Sequence, residues 1–542
     1  MNRFPAALKI LLAVAALFYL VFILRTSFDV HGQRYFTLVD DAMISMRYAR
    51  NLAQGQGLLW NPGQPPVEGI SNLGWTLAMA LIHLLPFSSA RISLVVMLVA
   101  ALLLLANIVV IFKIVRALDP TAELAPLIAA TMTAFYFPLV FWTLRGLEVG
   151  ALALTIGLAL LLTLRLAHDP RPVSARWLTL VLVVAVLIRM DAILQVGLLL
   201  IYAGLTVGAA PRQRFGFVPF SRSAPPPGTV QRDMPGGESH GNRFFVIGLP
   251  IFVTVLTLLA ILLIQRLYYG DFLPNTYYLK VNGVSAWERV RVGLLSLNDY
   301  ASRDFLMPMV LALIGLAAFK ELRTRESPLF FGLFAVQIGY SVWVGGDYAE
   351  ELVDAANRFI VQGMPALFVL FALAMDRFLR HRARAAFQAA LAVAIGLGAL
   401  LVVSGEPWSK WAISNAPMLR TDIQRTKLGL HIQAHTDPRA VIAVHAAGQI
   451  PYFADRTSID LLGKNDPVIA KGPPATGFAP GHNKWNYEYS ILQLKPDVIA
   501  DNFNRFPAFI DSVPQYQRLS SGIYVRVDSS LVDVDGLSAD YK

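Results

Sequence analysis

"WLTLVLVVAVLIRMDAILQVGLLLIYAGLTVG", Trp177–Gly208, carries Arg189 and Asp191 in the middle of an otherwise uncharged apolar run. Read as one tilted helix, it would bury a guanidinium and a carboxylate in hydrocarbon, where charge is expensive. Read as two helices broken at Arg189-Met190-Asp191, it returns both charges to an interface. The choice sets the sidedness of everything upstream, and the basic residues decide it. With the break in place, Lys113 and Arg116, then Arg165, Arg171 and Arg176, fall on one side. So do the arginines of the polar loop 209–243, Lys320, Arg323 and Arg325, and the group Arg377, Arg380, Arg382 and Arg384. Basic loops mark the cytoplasmic face, so a break is predicted.

The composition agrees with a membrane-embedded chain. Of 542 residues, 56% are hydrophobic and 15% charged, with mean hydropathy +0.54; soluble proteins carry about 25% charged residues. Runs fit to span fall near 5–24, 92–112, 124–144, 147–164, 177–188, 192–208, 244–265, 305–319, 328–344, 359–375 and 387–404. An α-helical polytopic membrane protein with about eleven spans is expected. The first run exceeds a signal-peptide core of roughly 7–15 residues and is read as an uncleaved span with its N-terminus inside. The run 73–87, "LGWTLAMALIHLLPF", makes a helix of roughly 22 Å against a hydrocarbon core of roughly 30 Å, so a re-entrant or juxtamembrane helix is predicted. Cysteine is absent, which excludes disulfides, thiolate nucleophiles and Cys-ligated zinc. The formal charge of +10 is accounted for by the basic loops, and no nucleic acid partner is expected.

The opposite face receives acids and aromatics. It holds the loop 26–91 with Asp40, Asp41 and Glu68, then "RGLE" ending at Glu148, "RMD" ending at Asp191, "YYGDFLPNTYYLK" and "GGDYAEELVDAANR". A tail of roughly 140 residues follows the last span. "AVIAVHAAGQIPYFA", "TSIDLLG", "KPDVIAD" and "GIYVRVD" read as short strands and turns. Two domains are expected, a membrane domain over 1–404 and an extracytoplasmic α/β domain over 405–542.

In the first loop, "DDAMISMRYARNLAQGQG" reads as a helix that Asp40 or Asp41 caps and that Gly55 and Gly57 end. Asp40, Met43, Arg47 and Arg50 share one stripe of it. A carboxylate beside guanidiniums suits a phosphorylated substrate, since Arg grips phosphate oxygens in a fork and an acid takes a proton from a hydroxyl. A capped interfacial helix with arginines on lipid headgroups is the plainer alternative, and on spacing alone the commoner one.

"DDAMISMRYARNLAQGQGLLWNPGQPPVEGISNLGW" resembles the first outer loop of the GT-C glycosyltransferases that use polyprenyl-phosphate sugars, closest to bacterial terminal β-arabinofuranosyltransferase-type proteins. A looser likeness runs to protein O-mannosyltransferases and aminoarabinose transferases. "GLE", "YGDFLPNTYYLK", "GGD…RF", "GQIPYFADRTSIDLLGKNDPVIA" and "PGHNKWN" follow in the same order. The chain has Met190 where the family commonly has proline, and Val149 where it has threonine. The resemblance implies a bacterial plasma-membrane enzyme that moves a sugar from a polyprenyl phosphate to an extracytoplasmic glycan. It makes Asp40, with Asp41, the candidate base. Arg47, Lys280 and Arg358 are the candidate donor-phosphate ligands. Glu68, Glu148, Asp191, Asp271, Asn275, Asp347 and His482 are the candidate substrate contacts. Each has a plainer reading: Arg358 snorkelling at a span end, Lys280 solvated, Arg145–Glu148 and Arg189–Asp191 as neutralising pairs, and His445 and His482 as ordinary domain histidines. Asp40, Asp41 and Asp347 offer hard oxygen ligands to Mg²⁺ or Ca²⁺, but no spacing requires this and no obligatory metal is expected. There is no P-loop or Rossmann glycine pattern for a nucleotide sugar. A transporter or flippase of lipid-linked sugars is the rival reading, weakened by the lack of an internal repeat.

Overall fold

The computed structural model describes residues 6–207, 239–347, 357–379, 385–501 and 506–540. Most of the loop 209–243 and residues 348–356 of the "GGD" loop lie outside the described residues.

Helix α1 (Ala6–Arg25) leads through a short hairpin, β1 (Phe28–Val30) and β2 (Gln33–Tyr35), into α2 (Asp40–Ala53) and α3 (Leu73–His83). There follow α4 (Ile92–Leu118), α5 (Ala125–Phe135), α6 (Phe137–Leu144), α7 (Val149–His168), α8 (Pro172–Ile188) and α9 (Ile193–Thr206). After the loop come α10 (Ser239–Tyr269), α11 (Asn275–Val281), α12 (Ala286–Tyr300), α13 (Leu306–Ala318) and α14 (Ser327–Val344). The short α15 (Arg358–Val361), α16 (Met364–Leu379) and α17 (Ala385–Ser414) complete the helical part.

The chain is a multi-pass membrane protein. Among the described residues six helices are each long and apolar enough to cross, and eight spans result if each bent pair counts as one. Helices form over all eleven expected stretches, but fewer are individually long and apolar enough to cross. One reason is visible at Tyr136, whose extended backbone separates α5 from α6 with Pro138 opening the second helix, a bend of 46°. Proline fits a helix's first turn and not its interior. The predicted break at Arg189 is present: its backbone is extended (φ −150°, ψ 132°), a 3₁₀ turn Met190–Ala192 follows, and α9 restarts at Ile193. The run at 73 gives a helix of only 11 residues, too short to span. The last long helix continues through Pro407 to Ser414, so the expected boundary at 405 falls inside it.

Beyond that helix, α18 (Leu419–Ala434) leads to β3 (Val441–Val444), α19 (Gln449–Ala454), β4 (Thr457–Asp460), α20 (Pro467–Lys471), β5 (Val498–Ile499), α21 (Phe506–Ile510), β6 (Tyr516–Arg518), β7 (Tyr524–Arg526) and α22 (Val534–Ser538). The sheet order is β4-β3-β5-β7-β6, with β3 parallel to β4 and β5, and β7 antiparallel to β5 and β6. The apolar strings "VIAV" and "VI" are buried as central parallel strands must be. Ligands of such sheets gather at the carboxyl ends of the parallel strands, and that edge faces the first loop.

Candidate active site

The two acids of the first loop have different partners. Neither caps its own helix: Val39 is the N-cap of α2, without a side-chain bond. Asp40 instead reaches across to the tail, where its Oδ1 accepts from the Gly448 and Gln449 amides at 3.1 and 3.0 Å. A Cβ at Gly448 would overlap the Asp40 carbonyl, so the contact requires glycine there. Burial pushes the Asp40 carboxyl above its usual value.

Asp41 faces a cluster of cations. Its Oδ2 accepts from Arg358 Nη1 at 2.6 Å and its Oδ1 accepts from Lys464 Nζ. Burial alone would raise its pKa, but the Lys464 ammonium and the Arg358 guanidinium more than offset this and hold the carboxyl well below the usual range. Arg358 also pairs with buried Asp347 at 3.1 Å, and its backbone amide donates to the same carboxylate. The glycines before Asp347 make this approach feasible: Gly345 and Gly346 sit at φ 91° and 84°, a region open mainly to glycine.

Behind Arg358, three cations surround one phenyl ring. Lys280 Nζ lies 4.5 Å from the Phe359 centroid, and the Arg358 and Arg189 guanidiniums lie 5.6 and 5.7 Å from it. Arg189 is committed to Asp191 (2.5 Å) and Glu148 (2.8 Å), and Glu148 also accepts from Asn72 at 2.9 Å. Lys280 has no carboxylate partner among the described residues, and burial together with the nearby Arg358 charge lowers its pKa to about 8. Arg358, Lys280, Glu148, Asp191 and Asp347 are therefore brought together beside Asp41. His482 lies in the field of Lys464 and Asp41, and burial pushes its pKa down to about 3, so it is neutral there.

Other expected contacts are not part of this cluster. Arg47 does share a stripe with Asp40 and Arg50, but the stripe meets the tail domain and not the cation cluster. The Arg47 guanidinium donates to the carbonyls of Trp60, Pro451 and Arg456 and to Asn61 Oδ1, and with every nitrogen engaged and 2% exposure it is not available to a phosphate. Arg50 likewise donates to Tyr452 O and Asp455. Asp271 pairs with Lys471 at 2.6 Å, pinning the α11 segment to α20. Asn275 holds the Lys464 carbonyl at 3.2 Å, so it positions the loop that carries Lys464. Glu68 accepts from Gln265 Nε2 at 2.6 Å, while among the described residues its other oxygen and Gln265 Oε1 have no hydrogen-bond partner. Among the described residues no group of three or more acidic or histidine side chains gathers to hold a metal ion; both Asp41 oxygens and Asp347 Oδ2 face Arg358 or Lys464.

Glu68 gives a pH prediction. Burial raises its pKa to about 7, against about 4.3 for an unperturbed glutamate. Between these values the folded state binds more protons than the unfolded, so stability falls as pH rises through that window. Glu68→Gln keeps the acceptor and offers Gln265 a donor. Thermal unfolding of the variant should match the parent at pH 4 and exceed it at pH 8 by on the order of 3 kcal/mol; equal pH dependence would refute the assignment.

Sequence reading missed Lys464, although "TSIDLLGKND" was singled out. It lies in the turn after β4, four residues past Asp460, and its signal is its place beyond the carboxyl end of a parallel strand. Arg425 on α18, which lies in the fields of Asp40, Asp501 and Asp422, and Asp422 itself were missed too, because nothing in a helix surface pattern names a partner hundreds of residues away.

A family model described as a domain of unknown function (DUF8728) matches residues 416–539. No curated protein matches the chain. Among solved structures, ArnT from Cupriavidus metallidurans bound to undecaprenyl phosphate is similar at TM-score 0.57 and 13% identity, over 97% of this chain and 98% of that one. Its apo state gives a TM-score of 0.53 at 12% identity, over 83% and 85%. At these identities the likeness is one of fold: the chain is an α-helical polytopic membrane protein of GT-C-like architecture with an α/β domain at its C-terminal end.

Proposed function

We propose that the protein is a glycosyltransferase that moves a sugar from a polyprenyl-phosphate donor to an extracytoplasmic glycan of a bacterial envelope. Arabinofuranose is the first donor sugar to test. The observation that carries this reading is the convergence of Arg358 and Lys464 on Asp41, with the Lys280 ammonium close by on the Phe359 ring. That ArnT, of the same fold, binds undecaprenyl phosphate supports a lipid phosphate as the anion.

The chemistry follows from charge. An entering phosphate competes with Asp41 for Arg358 and Lys464, and loss of those partners raises the basicity of the carboxylate. Asp41 then takes the acceptor hydroxyl's proton as its oxygen bonds to the anomeric carbon. The bond from that carbon to the phosphate oxygen breaks, and polyprenyl phosphate leaves with one more negative charge. Arg358, Lys280 and Lys464 offset that charge in a partly desolvated site, where such stabilisation is strongest. Asp40 secures the tail domain against α2, and Arg189, Glu148 and Asp191 form the rigid backing of the cation group.

The test is a transfer assay with protein in nanodiscs, radiolabelled polyprenyl-phosphate arabinofuranose and mannose, and soluble glycan acceptors. Transfer from one donor supports the reading. Saturable donor binding with no transfer to any acceptor would favour a carrier of lipid-linked sugars. Lys280→Met should raise the donor KM and lower kcat together, for a combined loss of about 10- to 100-fold in kcat/KM, as expected for one charge-assisted contact of about 1.5–3 kcal/mol. An unchanged donor KM would remove Lys280 from the phosphate site.

A further inference from the structure

The segment that brings Lys464 and His482 to Asp41 also lines a cavity. A cleft of about 300 Å³ opens between α20 and the chain at 485–488, lined by Val468, Trp485, Asn486, Tyr487, Glu488 and Phe509 among others. Trp485 and Tyr487 lie nearly parallel, centroids 6.1 Å apart and planes 20° from one another. Asn486 and Glu488 stand exposed on the rim. The Asn486 side-chain oxygen Oδ1 accepts from the Tyr489 amide at 3.1 Å, so its NH₂ is the group that can donate to a ligand. Among the described residues no lysine or arginine lines the cleft.

Two connections tie this cleft to the acid cluster. On one side, Lys464 is followed by Asp466, whose carboxylate caps α20 through the Val468 and Ile469 amides. Lys484, 1% exposed, then binds the Ala470 and Tyr278 carbonyls at 2.8 and 3.0 Å and fixes the facing wall. On the other side, the Tyr487 hydroxyl is 3.3 Å from His445 Nε2, at the end of β3, where the His445 amide donates to Asp501. The cleft and the acid cluster are thus built on the same stretch of the tail domain.

We infer that this cleft is an acceptor subsite that binds a neutral saccharide unit of the glycan, adjacent to the unit whose hydroxyl reacts. A sugar ring has an apolar C–H face and a rim of hydroxyls. Aromatic faces with a few placed polar groups are what such a ligand needs, and an acceptor carboxylate and a donor amide at the rim match hydroxyls that both give and take hydrogen bonds. The carboxylate of Glu488 in the lining would repel a phosphate or an anionic headgroup, which favours a neutral ligand. The inference names the acceptor class for the proposed transfer and rests on that reading for its role, but the binding step stands by itself.

The experiment is saturation-transfer NMR on full-length protein in nanodiscs, with linear oligo-arabinofuranosides and oligomannosides of four to six units as the probes. The expected result is transfer to the ring protons of at least one oligosaccharide, cut at least fivefold by Trp485→Ala and at least twofold by Glu488→Gln, and kept in Asp41→Asn. Once an acceptor is found, Trp485→Ala should raise its KM at least tenfold with kcat within a factor of two. Binding that persists in Asp41→Asn while no donor gives transfer would leave the saccharide site standing and remove the enzyme reading. No signal from any oligosaccharide, or a signal equal in parent, Trp485→Ala and Glu488→Gln, would overturn the inference. Glu488 is exposed, so Glu488→Gln keeps the test valid if Trp485→Ala fails to fold.

Discussion

In the Asp41→Asn variant the single-turnover transfer rate falls by roughly 10²- to 10⁴-fold, the contribution expected of a positioned general base, while polyprenyl phosphate binds several-fold more tightly. The two effects share one cause. Asp41 is the counter-ion of Arg358 and Lys464, so in the parent the phosphate must displace a carboxylate from both cations, and in the variant it displaces a neutral amide. A residue with a purely structural part would not give opposite signs in rate and affinity. Asp40→Asn is the paired control, since the amide oxygen still accepts from Gly448 and Gln449 and the base is untouched; its loss should stay within about tenfold, well short of a missing base. Equal rates in parent and Asp41→Asn would end the mechanism, and a greater loss in Asp40→Asn would transfer the base to that residue.

The second large effect is on stability. Arg145 and Asp422 form an ion pair at 2.5 Å with both side chains wholly buried. Arg145 also donates to the Thr37 carbonyl at 2.9 Å, and Asp422 accepts from Gln449 Nε2 at 2.6 Å. Gln449 in turn donates to the Leu38 carbonyl, so this network joins the turn after α6, the entry to the first loop and the tail domain. Asp422→Ala leaves a guanidinium buried without its counter-ion, and removal of one partner of a buried pair costs about 3–5 kcal/mol. The loss should appear as a lower thermal midpoint in detergent. The double variant Arg145→Met/Asp422→Leu should be more stable than Asp422→Ala, because two apolar side chains of similar size avoid the stranded charge. A double variant as unstable as the single one would mean that the pair does more than neutralise itself.

Much of the helical frame was legible because hydropathy and basic loops are local signals. The break at Arg189 was readable from the cost of a buried charge, and the strands at 441, 457, 498 and 524 from short apolar strings between turns. "GQIPYFA" was a different case: it followed a strand-like string but forms α19, whose start is held by an acid from the first loop. Arg47 shows the limit best. Helical spacing placed it correctly on the Asp40 stripe, yet its carbonyl partners Pro451 and Arg456 lie 404 and 409 residues away, and periodicity on one helix does not say which surface that stripe meets. Arg145–Glu148 and Arg189–Asp191 looked alike as neighbouring opposite charges. Only the second pair forms; Arg145 turns to Asp422, and Arg189 takes both Asp191 and Glu148.

The separation of Asp41 and Lys464 has a meaning for biosynthesis. They lie 423 residues apart in the chain, and a ribosome adding about 5–20 residues per second needs roughly 20–85 s to get from one to the other. For the first 317 of those residues neither cation around the carboxylate has been made, and from Arg358 on Lys464 is still missing. A nascent chain consequently carries the acid before the cations that neutralise it, and on the proposed reading transfer can begin only once the tail domain has been made and has docked on the first loop.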